Sequence, residues 1–86
     1  MTFTEQAEIV ARKIAEETGC VVEIDLNTYD DAFFNLVITC GPFRTNLLEQ
    51  RDFVSSLMNE ETIDGICRHV MMEAGVFFIE MFGGKK

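Results

Sequence analysis

The sequence predicts a small α+β domain: an antiparallel β-hairpin packed against three helices in the order α-β-β-α-α, with a third, C-terminal strand as an option. Two stretches of two-residue alternation predict the hairpin, and apolar residues at helical spacing on either side predict the helices. Length supplies the third observation. A chain of 86 residues holds one thin core, assigned to residues 1–82, with 83–86 as a flexible tail.

The first helix starts at a capping box, Thr2 with Glu5 three residues on, with Thr4 as an alternative cap. Phe3, Ala7, Val10 and Ile14 then recur at helical spacing, with Ala11 and Ala15 beside them. Gly19 is placed to end the helix in a left-handed conformation. The hairpin follows. Cys20, Val22, Ile24 and Leu26 alternate with Val21, Glu23 and Asp25; Phe34, Leu36, Ile38 and Cys40 alternate with Phe33, Asn35, Val37 and Thr39. Setting Leu26 against Phe34 brings Ile24 to Leu36, Val22 to Ile38 and Cys20 to Cys40. A one-residue slip would turn an apolar row into water, so this register or one slipped by two is expected. Ile24, Leu36 and Ile38 are expected among the most buried residues.

Gly41-Pro42 is read as the stop of the second strand. Asn46 and Glu49 repeat the capping spacing, and Leu47, Leu48, Val54, Leu57 and Met58 supply apolar contacts for a second helix. Asn59 caps a third, with Glu60, Glu61 and Asp64 in its first turn and Ile63, Ile66, Cys67, Val70, Met71 and Ala74 as its buried face. Residues 76–82 fit a helical continuation. Gly75 and the branched and aromatic residues of the run favour the strand.

Charge narrows the function classes. Fifteen acidic residues against seven basic ones give −8, which opposes direct nucleic-acid binding and docking on an anionic membrane. A protein partner with a basic surface fits instead. The N-terminus lacks a signal-peptide pattern and no apolar run is long enough for a membrane span, so the cytoplasm is expected. Cys20, Cys40 and Cys67, odd in number and unrelated in spacing, are expected as free thiols.

No residue pattern points to catalysis. Cys67-x-His69 is the one close ligand pair, and residues two apart on a helix point about 200° apart, so neither a zinc site nor a Cys–His dyad is expected. His69 instead lies one turn from Glu73, which it can hydrogen-bond on the surface. The run Asp25–Asp31 superficially resembles a calcium loop, but Asp30 stands where the turn needs glycine and Leu36 where a bidentate glutamate belongs. No enzyme activity, metal or cofactor is expected.

The surface carboxylates are what remain. Glu23 and Asp25 fall on the outer face of the hairpin, Asp30 and Asp31 at its tip with Tyr29 among them, and Glu16 and Glu17 at the end of the first helix. A merely solvated acidic face is the plain rival reading. The sharper one makes these seven residues a partner-binding surface whose carboxylates imitate nucleic-acid phosphates. In size and charge, though in no motif, the chain is similar to small acidic phage-encoded inhibitors of restriction or CRISPR machinery; the likeness implies a DNA mimic. The alternative is a homodimeric adaptor or assembly subunit joined through apolar sheet surface, using Val21, Phe33, Val37 and unpaired strand edges.

Overall fold

Helix α1 (Phe3–Thr18) begins where its capping box predicts, in a computed structural model that describes residues 1–83. The Thr2 amide donates to the Glu5 carboxylate at 2.9 Å and the Glu5 amide donates to the Thr2 hydroxyl at 3.2 Å. Gly19 closes the helix at φ 74°, its amide bonded to the Ala15 carbonyl at 2.8 Å. Ala7, Val10, Ala11 and Ile14 are buried, the stripe expected from their spacing.

Strands β1 (Val21–Asp25), β2 (Phe33–Cys40) and β3 (Phe43–Gln50) form one antiparallel sheet with β2 in the middle. The hairpin register is the expected one at Val22–Ile38 and Ile24–Leu36. The Leu26–Phe34 pair does not form. Asp25 ends β1 by accepting the Asn27 amide at 2.9 Å, which turns the chain away and leaves Leu26 exposed. Leu36 and Ile38 are fully buried as expected, but Ile24 is only half-buried, because among the described residues β1 is an edge strand with no neighbour beyond it.

The third strand exists, and it is not C-terminal. Residues 43–50, expected to enter a second helix, pair with β2 along their whole length, from Cys40–Phe43 to Phe33–Gln50. Gly41-Pro42 therefore reverses the chain rather than ending the sheet. Gly41 adopts φ 61° while Pro42 keeps an ordinary negative φ, the pattern of a two-residue type II′ hairpin turn. The helical cues at Asn46, Glu49 and Leu47-Leu48 lose to alternation: Phe43, Thr45, Leu47 and Glu49 are the less exposed row, and Arg44, Asn46, Leu48 and Gln50 are exposed. A lone two-stranded ribbon is marginal, and pairing the free side of β2 supplies what it lacks.

Among the described residues two α-helices, not three, cover one face of the sheet. After β3 come two single 3-10 turns, Arg51–Phe53 and Ser56–Met58, which drop Val54 and Leu57 into the core. Helix α2 (Glu60–Phe78) then starts at Asn59, whose side chain accepts the Glu61 and Thr62 amides at 2.8 and 3.4 Å. Ile63, Cys67, Val70 and Ala74 are its buried face, with Ile66 half-buried; Met71, expected with them, falls beside the stripe and is exposed. The run 76–82, for which a strand was favoured, stays helical and closes in a π-helical turn, Ile79–Gly83. The reason is register. The same stripe that buries Val70 and Ala74 lays Phe77 against Phe43 at 5.5 Å between ring centroids, and Gly75, lacking a positive φ, does not break it. Of the expected tail, Gly83 belongs to that last turn and 84–86 lie outside the described residues.

Candidate functional site

The predicted acidic surface divides in space. Asp30 and Asp31 lie exposed in the β1–β2 connection beside Tyr29, whose ring is fully exposed. Asp30 also holds the loop in shape: its carboxylate accepts the Ala32 amide at 2.9 Å, while the Thr28 hydroxyl donates to the Asp30 carbonyl at 2.7 Å. Glu23 and Asp25 stand on β1 opposite Val37 and Asn35, on the sheet face away from the helices. Glu23 is exposed and Asp25 half-buried. Val37, expected to show on that face, is nearly covered there by its neighbours at 7% exposure.

Glu16 and Glu17 belong elsewhere. They precede β1, whereas the tip follows it, so the five-residue strand separates them by roughly 16 Å. The fold instead gathers them with three carboxylates from the start of α2. Lys13, Glu16 and Glu17 of α1 and Glu60, Glu61, Ile63 and Asp64 of α2 line one open cleft of about 430 Å³. The sequence alone places Glu60, Glu61 and Asp64 only in the first turn of their own helix. Their convergence with α1 is a tertiary fact, and the crowding of acids in the first turn of α2 was its one local sign.

This cleft is electrostatically uphill. Glu60 and Glu61 sit at the favourable, positive end of α2, but Glu16 and Glu17 sit in the last turn of α1, where the helix dipole disfavours anions and no basic residue is present. Among the described residues, Lys13 is the single cation beside five carboxylates. Asp64 pairs with Arg68 at 3.3 Å on exposed surface, a contact worth little. Among the described residues, the remaining four make no ion pair.

A second cleft of about 410 Å³ lies between β3 and α2, lined by Leu47, Ile66 and Val70. Its polar rim is self-satisfied: His69 meets Glu73 at 3.0 Å, the surface contact expected from their spacing, and the Thr45 hydroxyl donates to Glu73 at 3.4 Å. Cys67 is buried while His69 is exposed, so the two diverge as their helical spacing requires. Among the described residues no three His, Cys, Asp or Glu side chains converge as metal ligands.

The three thiols are free. Cys20 and Cys40 are neighbours, and a hydrogen bond that the neutral Cys40 thiol makes to Cys20, reinforced by burial, raises the Cys40 pKa. Burial first, and the Glu17 carboxylate second, push the Cys67 thiol from 9.0 up to about 11. The folded state thus holds the Cys67 proton more tightly than the unfolded chain. The stability linked to it is complete below pH about 9 and is lost as pH rises toward about 11. The urea midpoint is therefore expected to fall across that window, and to fall less in Cys67→Ala. Identical pH profiles for the two proteins would contradict it.

Neither a family model, a curated protein nor a solved structure matches this chain, so the site rests on its own geometry.

Proposed function

We infer that the chain is a non-catalytic binding domain whose carboxylates engage the basic surface of another protein, and that it inhibits a nucleic-acid-binding complex by occupying the place of nucleic acid. A restriction or CRISPR assembly is the specific kind of partner proposed. The observation that carries this reading is the acidic cleft. Five carboxylates and, among the described residues, one lysine line it, with two of the acids at the wrong end of a helix dipole. Such an arrangement costs the isolated fold stability, and a basic partner converts the mutual repulsion into attraction. Glu23, Asp25, Asp30 and Asp31 extend the same charge along the outer sheet face and tip.

The test separates the two acidic regions. One variant neutralises the cleft (Glu16→Gln, Glu17→Gln, Glu60→Gln, Glu61→Gln), the other the tip (Asp25→Asn, Asp30→Asn, Asp31→Asn). Asparagine keeps the side-chain oxygens that accept the Asn27 and Ala32 amides, so the tip loses charge without losing its turns. Both variants are expected to unfold at the same temperature as the wild type or slightly higher. Affinity for a captured basic partner is expected to fall tenfold or more, about 1.4 kcal/mol, in each. Unchanged affinity in both would remove the acidic surface from function.

The homodimer through apolar sheet surface finds less support. The outer face sets the exposed Val21 and Leu48 among Glu23, Asn46 and Arg44, so no continuous apolar patch forms there.

A further inference from the structure

The fold sets two of the three cysteines face to face, at the end of the hairpin away from its tip. Val21 pairs with Thr39, so the next step of the same ladder places Cys20 opposite Cys40. Both fall on the row of Val22 and Ile38, which faces the helices. Residues directly opposite in an antiparallel pair have Cα atoms about 4.5–5.5 Å apart, and a disulfide spans about 4.4–6.8 Å. The backbone therefore has little to move before a bond can form.

The two thiols are differently placed. Cys20 is buried, its amide bonded to the Thr18 hydroxyl at 3.1 Å and its Sγ 3.9 Å from the Thr18 carbonyl oxygen. Cys40 is half-buried, the last residue of β2. Cys67 stands in the other layer. It is buried on α2 and hydrogen-bonds Glu17 of α1, with Cys20 the smallest of the influences on it.

We propose that Cys20 and Cys40 are a dithiol site that closes to a disulfide by exchange with a small-molecule disulfide of the glutathione kind. The thiolate of Cys40, the more accessible of the two, attacks one sulfur of that disulfide, forms a mixed disulfide and expels one thiolate. The thiolate of Cys20 then attacks Cys40 Sγ and expels the second. The protons given up by the two cysteines pass to the two departing thiolates. One protein dithiol is oxidised, one small disulfide is reduced to two thiols, and no other oxidant is needed. A hydrogen bond and burial raise the Cys40 pKa, so the first step is slow at neutral pH; what the fold supplies is the alignment for the second.

The bond ties the start of β1 to the end of β2. Among the described residues β1 is held by β2 alone, and closing the loop between the cysteines removes freedom from the unfolded chain. The oxidised protein is thus expected to have a higher urea midpoint than the reduced one, with slower hydrogen exchange along β1.

Incubation of the full chain with oxidised glutathione, followed by non-reducing peptide mapping in the mass spectrometer, is the test. The thiol count is expected to fall from three to one, with a Cys20–Cys40 linked peptide, no retained glutathione, and full reversal by dithiothreitol. Cys67→Ala is expected to form the same bond. Cys20→Ser is expected to stop at the mixed disulfide, with glutathione held on Cys40. Three thiols remaining in the wild type would overturn the proposal. So would a bond that includes Cys67, glutathione retained on the wild type, or a bond between two copies of the chain. An oxidised form with a lower urea midpoint than the reduced one would show that the pair is not aligned for the bond. Neither cysteine lines the acidic cleft, so failure here leaves the inhibitor reading to its own test.

Discussion

Replacing Leu36 with Ala lowers the unfolding free energy by roughly 2–5 kcal/mol, with the upper half of that range expected. Leu36 is fully buried in the central strand, between Ile24 on one side and Leu47 on the other. Both partners are held by sheet hydrogen bonds, and α1 and α2 cover that face, so the cavity cannot collapse cheaply. A domain of this size has only about 5–15 kcal/mol in total. Urea denaturation decides it, and a midpoint that scarcely moves would contradict the inward row.

Phe34→Ala is expected to cost about 3–5 kcal/mol, as large or larger. Its ring is fully buried and meets Phe3 edge-on at 5.1 Å. Phe3 in turn lies under the Arg51 guanidinium at 5.3 Å, and Arg51 is fixed by two backbone contacts. Its side chain donates to the Phe33 carbonyl at 3.0 Å, and its amide donates to the Ala32 carbonyl at 2.7 Å. Phe34 therefore anchors the first turn of α1 and the exit from β3 together. Hydrogen exchange should show the amides around Ala7 losing protection in Phe34→Ala, with Phe34→Leu between it and wild type. A loss under about 1 kcal/mol would show that Phe3 and Arg51 close over the gap without it.

The elements legible in the sequence were those set by local chemistry. Thr2 with Glu5, Gly19 and Asn59 each act through hydrogen bonds or backbone angles within four residues, and each cap stands where its pattern places it. The pairing of Ile24 with Leu36 follows from two-residue alternation alone. The region from Gly41 to Met58 was not legible in the same way. Leu47-Leu48 suits a helix or a strand, and an asparagine three residues before a glutamate mimics a helix start. What decides the state is the unpaired side of β2, a tertiary demand whose local signs are the Gly41-Pro42 turn and the weak alternation of Phe43, Thr45 and Leu47. The run 76–82 misled for the converse reason: branched and aromatic residues favour a strand, but their continuity with Val70 and Ala74 on one helical stripe prevails. The acidic site was half legible. Composition announced the charge, but only the packing of α1 against α2 brings Glu16 and Glu17 to Glu60, Glu61 and Asp64.

The central claim is that these carboxylates stand in for nucleic acid on a basic protein, and a displacement measurement tests it most directly. Immobilised wild-type chain and the cleft-neutralised variant are exposed in parallel to host extract, and the retained proteins are challenged with duplex DNA, single-stranded DNA and RNA. The account predicts a nucleic-acid-binding protein held by the wild type, released by one of these competitors, and retained at least tenfold less by the variant. A protein retained equally by both chains and unmoved by any nucleic acid would contradict it.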